Sequence, residues 1–237
     1  MAGEVNVVGQ ATLAGSMRKL APIFEKETGE KLNLVLGNPG VTGTRIREKT
    51  PADVHILGAA LMNTLKGEGL VDDATKVPLG KTQIGMGIQT GAAKPAAFND
   101  KDSFIAFVRA VKTIGLVDPK GGSGTSPPFI AAVEKLGLAA EIEPKYRYFA
   151  GAGEAVADAI ARHEVEAGVT AITELAPNHG VQVIGPIPGD VLQFGNITYA
   201  LIAKEARNLD GARKFLVFLK SKTASEEFAS IGLTLVD

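Results

Sequence analysis

The stretch VVGQATLAGSMRKLAPIFEKETG, residues 7–29, decides how the rest of the chain reads. Its first residues are an apolar strand. They run into a small-residue turn, GQATLAGS (Gly9 to Ser16), and the turn runs into an amphipathic segment. That segment carries Met17, Leu20, Ile23 and Phe24 on one face and stops at Gly29, which predicts a helix. A strand, a turn that admits nothing bulky and a helix make one β-α unit.

The unit repeats outward. KLNLVLG (31–37), VTGTRIREKT (41–50), ADVHILG (52–58) and AALMNTLKGEGL (59–70) read as strand, helix, strand and helix. Three β-α units in a row predict a parallel sheet with crossover helices. The pattern then restarts. TQIGMGIQTG, TIGLVD, YRYFAG, EAGVTAIT and VQVIGPI read as strands, and DKDSFIAFVRAVK, PFIAAVEKLGL and EAVADAIARHEV as helices. GNITYALIAK is a late long strand, followed by helical LDGARKFLVFLKS and KTASEEFASIG.

The expected fold is α/β with two lobes, each a mixed sheet flanked by helices. Lobe one takes residues 1–80 plus 195–237, and lobe two takes 82–193. The crossovers fall near 81–85 and 193–198, so strands near 81–88 and 195–203 are expected to pass between lobes. That arrangement makes a two-strand hinge with a cleft for ligand.

Composition narrows the chemistry. The 237 residues are 45% hydrophobic and 22% charged, an ordinary globular balance. The formal net charge is -1 with no block of like charge, which argues against a nucleic-acid partner. Without cysteine there is no thiol nucleophile or zinc cluster. His55, His163 and His179 have no metal-ligand spacing, so neither metal nor cofactor is expected. The first strand begins by Val5 with no basic n-region or apolar h-region before it. Composition allows either a cytosolic protein or an exported one whose leader has been removed.

Four strand-to-helix turns are rich in small polar residues: GQATLAGS, GNPGVTGT (37–44), DPKGGSGTSPP (118–128) and AGAGEA (150–155). In an open parallel sheet, ligands bind beyond the carboxyl ends of the strands. Helix N-termini there offer free N–H groups and the positive end of the dipole, which favour anions. Any one such turn also has the ordinary reading of a helix cap. Four of them, two per expected lobe, point to a small anion held from both sides. No P-loop is present, and GQATLAG does not match G-x-G-x-x-G, so nucleotide binding is disfavoured.

These segments resemble, in order, those of the molybdate-type solute-binding proteins of ABC transporters, which have the type II periplasmic binding protein fold. The resemblance rests on residues 7–29, NPGVTGTRIREKTPADVHILG, VDPKGGSGTSPPFIAAVEKLG, GAGEAVADAIARHEVEAGVTAITEL and GNITYALIAKEARNLDGARKFLVFLKS. It implies a periplasmic or extracellular monomer that captures a small anion, oxyanion or carboxylate, for the membrane subunits of a transporter. Aconitate isomerase, an enzyme of the same fold, keeps an alternative open: isomerisation of an unsaturated tricarboxylate. A third class of this fold, the ligand-sensing domain of a transcription regulator, would need a DNA-binding segment that the chain lacks.

By the same resemblance, Thr12 takes the place of the first-turn serine, with Gln10 and Ala11 beside it. Asn38, Pro39, Gly40 and Val41 take the second turn. Gly151 and Gly153 fall where a backbone N–H meets the ligand. Ala171 stands where molybdate binders carry a tyrosine. Losing that tyrosine and the second-turn serines removes hydroxyl donors suited to a compact tetrahedral oxyanion. Ser123, Gly124 and Thr125 complete the lobe-two set. Lys81 at the first crossing offers a cation to a carboxylate, and Tyr199 is expected to line the cleft floor. Arg18 and Arg45 read as solvated helix residues and Asp53 as a brace for its strand. His55 reads as a structural histidine, and Glu154 as a complement to its helix dipole. No paired carboxylates or Ser-His-Asp order marks a catalytic base, so the catalytic residue of the alternative is not assigned.

Overall fold

The computed structural model describes residues 3–236. The chain divides into two compact lobes, one running up to Thr82 and resuming at Asn196, the other spanning Gln83–Gly195.

Lobe one begins β1 (Glu4–Gln10), α1 (Ala14–Thr28), β2 (Lys31–Gly37), α2 (Pro39–Arg47), β3 (Val54–Gly58), α3 (Ala59–Gly67) and β4 (Val77–Thr82). Lobe two holds β5 (Ile84–Gln89), α4 (Lys101–Ala110), β6 (Ile114–Val117), α5 (Ser126–Lys135), α6 (Ala139–Ile142), β7 (Tyr146–Phe149), α7 (Gly153–Ala161), β8 (Ala167–Ala171), α8 (Ile172–Leu175) and β9 (Val181–Pro186). The chain then returns to lobe one with β10 (Asn196–Ile202), α9 (Leu209–Phe218) and α10 (Lys222–Ser230).

Each lobe is one five-stranded mixed sheet. In lobe one the order is β2-β1-β3-β10-β4, with β1 parallel to β2 and β3, and β10 antiparallel to β3 and β4. In lobe two the order is β7-β6-β8-β5-β9, with β6 parallel to β7 and β8, and β5 antiparallel to β8 and β9. These are the two mixed-sheet, helix-flanked lobes of a type II periplasmic binding protein fold.

Both faces of each sheet are buried, which is why the strands read as apolar runs rather than alternating ones. Val5, Val7 and Ile56 pack with Met17, Leu20, Phe24, Phe215 and Phe228 on one face of the lobe-one sheet. Val8 and Leu57 pack with Ile46, Met62 and Leu65 on the other. In lobe two, Phe104 and Phe129 join Met86 and Leu116 on one face, while Val156 and Ile160 sit with Val117 and Leu175 in a separate cluster. Gly29, at φ 75°, ends α1 in the left-handed conformation that glycine adopts without strain.

One expectation is corrected. The stretch expected as a single strand near 81–88 is two strands, β4 and β5, with Gln83 between them and each in its own sheet. Pro78 hides β4 in the sequence, because proline cannot donate to a ladder. The strand tolerates it at the edge of the sheet, where Pro78 lies opposite Tyr199 of β10. The strand expected to cross near 195–203 is β10, which pairs wholly within the lobe-one sheet.

Candidate functional site

The helices differ in how their amino ends are closed. Those of α4, α9 and α10 are capped by their own side chains. Asp100 accepts from Ser103 in a reciprocal capping box, Asn208 accepts from Gly211, and Ser221 accepts from Ala224. The helices that follow the carboxyl ends of parallel strands are built differently. No side-chain cap closes α1, α2, α3, α5 or α7. Their first-turn N–H groups lack intrahelical acceptors and carry the positive end of the dipole.

In lobe one, Ala11–Leu13 form a 3₁₀ turn between β1 and α1, opened by Gln10 without a side-chain cap. Ala11 is buried, and Thr12 is half-buried inside the turn rather than at a cap position. Among the described residues no group engages the Thr12 hydroxyl. Gln10 is buried, and its side-chain oxygen accepts the backbone N–H of Gly58. Its side-chain oxygen thus ties the ends of β1 and β3. Gly9 lets those strands approach, since a Cβ there would lie 2.8 Å from that of Ile56.

The second lobe-one turn is held by a residue that the sequence pattern does not single out. Thr42 is fully buried, and its hydroxyl donates to the carbonyl oxygen of Gly9 at 2.9 Å. This fixes the first turn of α2 over the end of β1. Asn38 opens α2 with Pro39 at its first position; Gly40 and Val41 are exposed. Arg45, expected to be solvated, is half-buried, and its guanidinium donates to Leu36 O at 3.3 Å. That places a cation beside the α2 turn.

In lobe two the corresponding turns are partly filled by the chain itself. The Ser123 hydroxyl accepts the N–H groups of Thr125 at 3.3 Å and Ser126 at 3.1 Å. Ser126 is fully buried and donates to Val117 O at 2.7 Å, which anchors the turn to β6. Ser123, Gly124 and Thr125 are half-buried. Gly151 is exposed, with φ 100°. Gly153 is buried, and its N–H donates to the Glu174 carboxylate at 3.1 Å. Ala171 ends β8 and is buried.

Two further candidates lie on β4 and β10. Lys81 is an exposed residue of β4 whose backbone pairs with Thr234. Tyr199 packs against the Val8–Leu57 cluster, with Lys76 Nζ 5.7 Å from its ring centre.

A cavity of about 310 Å³ in lobe one lies elsewhere, at the amino ends of β1 and β3, lined by Asn6, Lys49, Asp53, His55, Ala203 and Arg207 among others. Asp53 is fully engaged there: it accepts from the backbone N–H groups of Asn6, Arg207 and Asn208, each at 2.8 Å, and from the Asn6 side chain at 3.2 Å. This is the bracing role expected of it. Burial pushes its carboxyl up, but those hydrogen bonds outweigh it and hold the group below the usual range. His55 Nδ1 lies 3.3 Å from Val8 O, and burial lowers its pKa.

Three comparisons bear on this arrangement. Residues 5–234 match the family model described as bacterial extracellular solute-binding protein. Aconitate isomerase of Pseudomonas sp. is 26% identical over 234 residues, covering 97% of this chain and 87% of that protein. The molybdate-binding protein ModA of Escherichia coli is 23% identical over 241 residues, covering 98% and 90%. Among solved structures, the periplasmic molybdate-binding protein of Azotobacter vinelandii superposes with a TM-score of 0.76 at 17% identity, covering 98% of this chain and all of that one.

Proposed function

The chain belongs to the bacterial extracellular solute-binding proteins, and we propose that it captures a small polyatomic anion, a di- or tricarboxylate before a tetrahedral oxyanion, for the membrane subunits of an ABC transporter. The carrying observation is the pair of uncapped turns at the amino ends of α1 and α2, with the Thr12 hydroxyl unengaged and the Arg45 guanidinium alongside. Such turns satisfy an anion with backbone N–H groups and a dipole end at once. In this reading the ligand's charge rests on the lobe-one turns. Asn38, Gly40 and Ala171 give no hydroxyl to a small symmetric oxyanion, which is why a carboxylate is preferred.

A second reading is isomerisation of an unsaturated tricarboxylate, supported by similarity to a protein named aconitate isomerase along nearly the whole chain. One experiment tests both. Thermal unfolding is followed with molybdate, sulfate, malonate, citrate, cis-aconitate and trans-aconitate, and any hit is then observed by NMR. A ligand at 100 times its Kd adds about 2.7 kcal/mol to stability. A carboxylate that raises the midpoint and stays unchanged supports binding alone. Interconversion of the aconitates supports the isomerase. A panel without any shift sinks the anion reading.

A further inference from the structure

Lobe two holds a carboxyl that the solute-binding reading does not use. Glu174, on the short helix α8, is 8% exposed and lies at the amino end of α7. One carboxylate oxygen takes the Gly153 N–H, and the other lies 2.8 Å from Thr170 Oγ1. Thr170 is fully buried in β8, and its Oγ1 lies 3.5 Å from Thr125 Oγ1, which is 3.4 Å from Ser123 Oγ; the Ser123 hydroxyl itself donates to Ser126 Oγ at 3.1 Å, so Thr125 is the outward end of the file. A file of hydroxyls therefore runs from a buried carboxyl to the half-buried GGSGTS turn. Each hydroxyl has one proton and two lone pairs, so the file can point either way.

We propose that the protonation state of Glu174 sets the polarity of this file, and with it whether the Ser123–Thr125 turn offers an anion donors or lone pairs. Neutral Glu174 donates to Thr170, Thr170 donates to Thr125, and Thr125 is left free to donate outward. Ionised Glu174 accepts from Thr170, Thr170 accepts from Thr125, and lone pairs face the ligand above a buried negative charge. Anion capture is thereby coupled to the uptake of one proton. Glu174 acts through the two threonines, as a positioning residue for the anion.

The surroundings favour the neutral form. Burial pushes the carboxyl up and Glu154 adds to the rise, against hydrogen bonds from Thr170, Gly153 and Ala171. The strands β5, β6, β8 and β9 contain no titratable side chain. Helix α7 brings only Glu154 and Asp158, and Asp158 accepts from Asn178 at 2.9 Å. Asp118, beyond β6, accepts from the Lys120 N–H. Helix α5 has Glu134 and Lys135 at its far end. No cation on these elements is placed to hold Glu174 ionised.

The inference rests on the solute-binding reading, and its test separates the two. Sulfate, fully ionised throughout, and trans-aconitate, with its own last ionisation subtracted, are titrated calorimetrically between about pH 6 and pH 9, in two buffers of different ionisation heat. Above the Glu174 pKa the parent should take up as much as one proton per anion, with affinity falling by up to about tenfold per pH unit; below it, uptake should vanish and affinity level off. Glu174→Gln keeps an acceptor for Gly153 and a permanent donor for Thr170. Its affinity should be flat with pH and match the parent's low-pH value. Thr170→Val cuts the file and should also flatten the profile. Equal pH slopes in parent and Glu174→Gln, or a parent affinity that falls with pH without proton uptake, overturn this inference alone. Should Glu174→Gln not fold, the parent's proton count and Thr170→Val decide. If neither probe binds at any pH, the anion reading falls and this inference falls with it.

Discussion

The side-chain carbonyl of Gln10 accepts the backbone N–H of Gly58, so the last residue of β1 holds the last residue of β3 at the point where α3 begins. The same side chain therefore braces the strand ends from which the turns into α1 and α3 leave. Gln10→Ala leaves a buried N–H without its acceptor, which costs about 1–3 kcal/mol. Urea unfolding should show a lower midpoint at unchanged m. An unchanged midpoint would mean that the bond to Gly58 does not hold the strand ends.

Acid should unfold lobe one in two stages. The His55 pKa is lowered in the fold, so the unfolded chain binds the proton first. The contribution of His55 then falls as the pH drops below about 6.5, with a slope of up to about 1.4 kcal/mol per pH unit, until the folded imidazole is protonated too; Glu174, whose pKa is raised, acts in the opposite sense, so the His55 limb is read as the difference between parent and variant. The Asp53 carboxyl is also held low. Its contribution is present above the unfolded pKa of about 3.9 and is lost as the pH falls through the folded value. Unfolding free energies measured across this range should show both limbs. His55→Gln should remove only the upper one; an upper limb that persists in that variant would assign it to another group.

Gly153 is the first residue of α7, and a Cβ there would run into the Thr170 hydroxyl and the Glu174 carboxyl. Both are buried and cannot swing away cheaply. Gly153→Ala should therefore destabilise by about 1–3 kcal/mol, although alanine is the better helix former. Differential scanning calorimetry of the two proteins checks this. A more stable variant would mean that the Glu174 side chain moves freely, and the hydroxyl file would lose its anchor.

The β-α rhythm was readable because both faces of each sheet are apolar and the turns between are made of small residues. β4 was not, because Pro78 argues against a strand unless its edge position is known. Glu174 was missed for a related reason. EAGVTAIT reads as one strand, but it stops at Ala171, and the turn of helix after it carries Glu174 back toward Gly153. Thr42 and Arg45 lie in a helix that looks polar and solvated. Their contacts with Gly9 and Leu36 join residues 33 and 9 positions apart, and no local pattern announces them. The turns were legible as turns. Which of their donors the chain itself occupies became visible only with Ser123 and Glu174 in place.

Thr12 is where the anion reading is most exposed to test. A threonine at this junction could serve simply as a helix cap, but the turn places it at the middle of Ala11–Leu13 and gives its hydroxyl no capping bond. Burial here belongs to its neighbours Ala11 and Leu13, so Thr12→Val changes one donor and little else. Folding stability should stay within about 0.5 kcal/mol of the parent. A hydrogen bond to a charged group contributes about 1.5–3 kcal/mol, so the affinity for whichever anion binds should fall about tenfold or more. Calorimetric titration of parent and variant at one pH measures the difference. Equal affinities would detach Thr12 from the ligand and leave the backbone of the turn as the only lobe-one contact at β1. A large loss of stability instead would mean that the hydroxyl holds the turn itself, and the ordinary helix-start reading of residues 9–16 would stand.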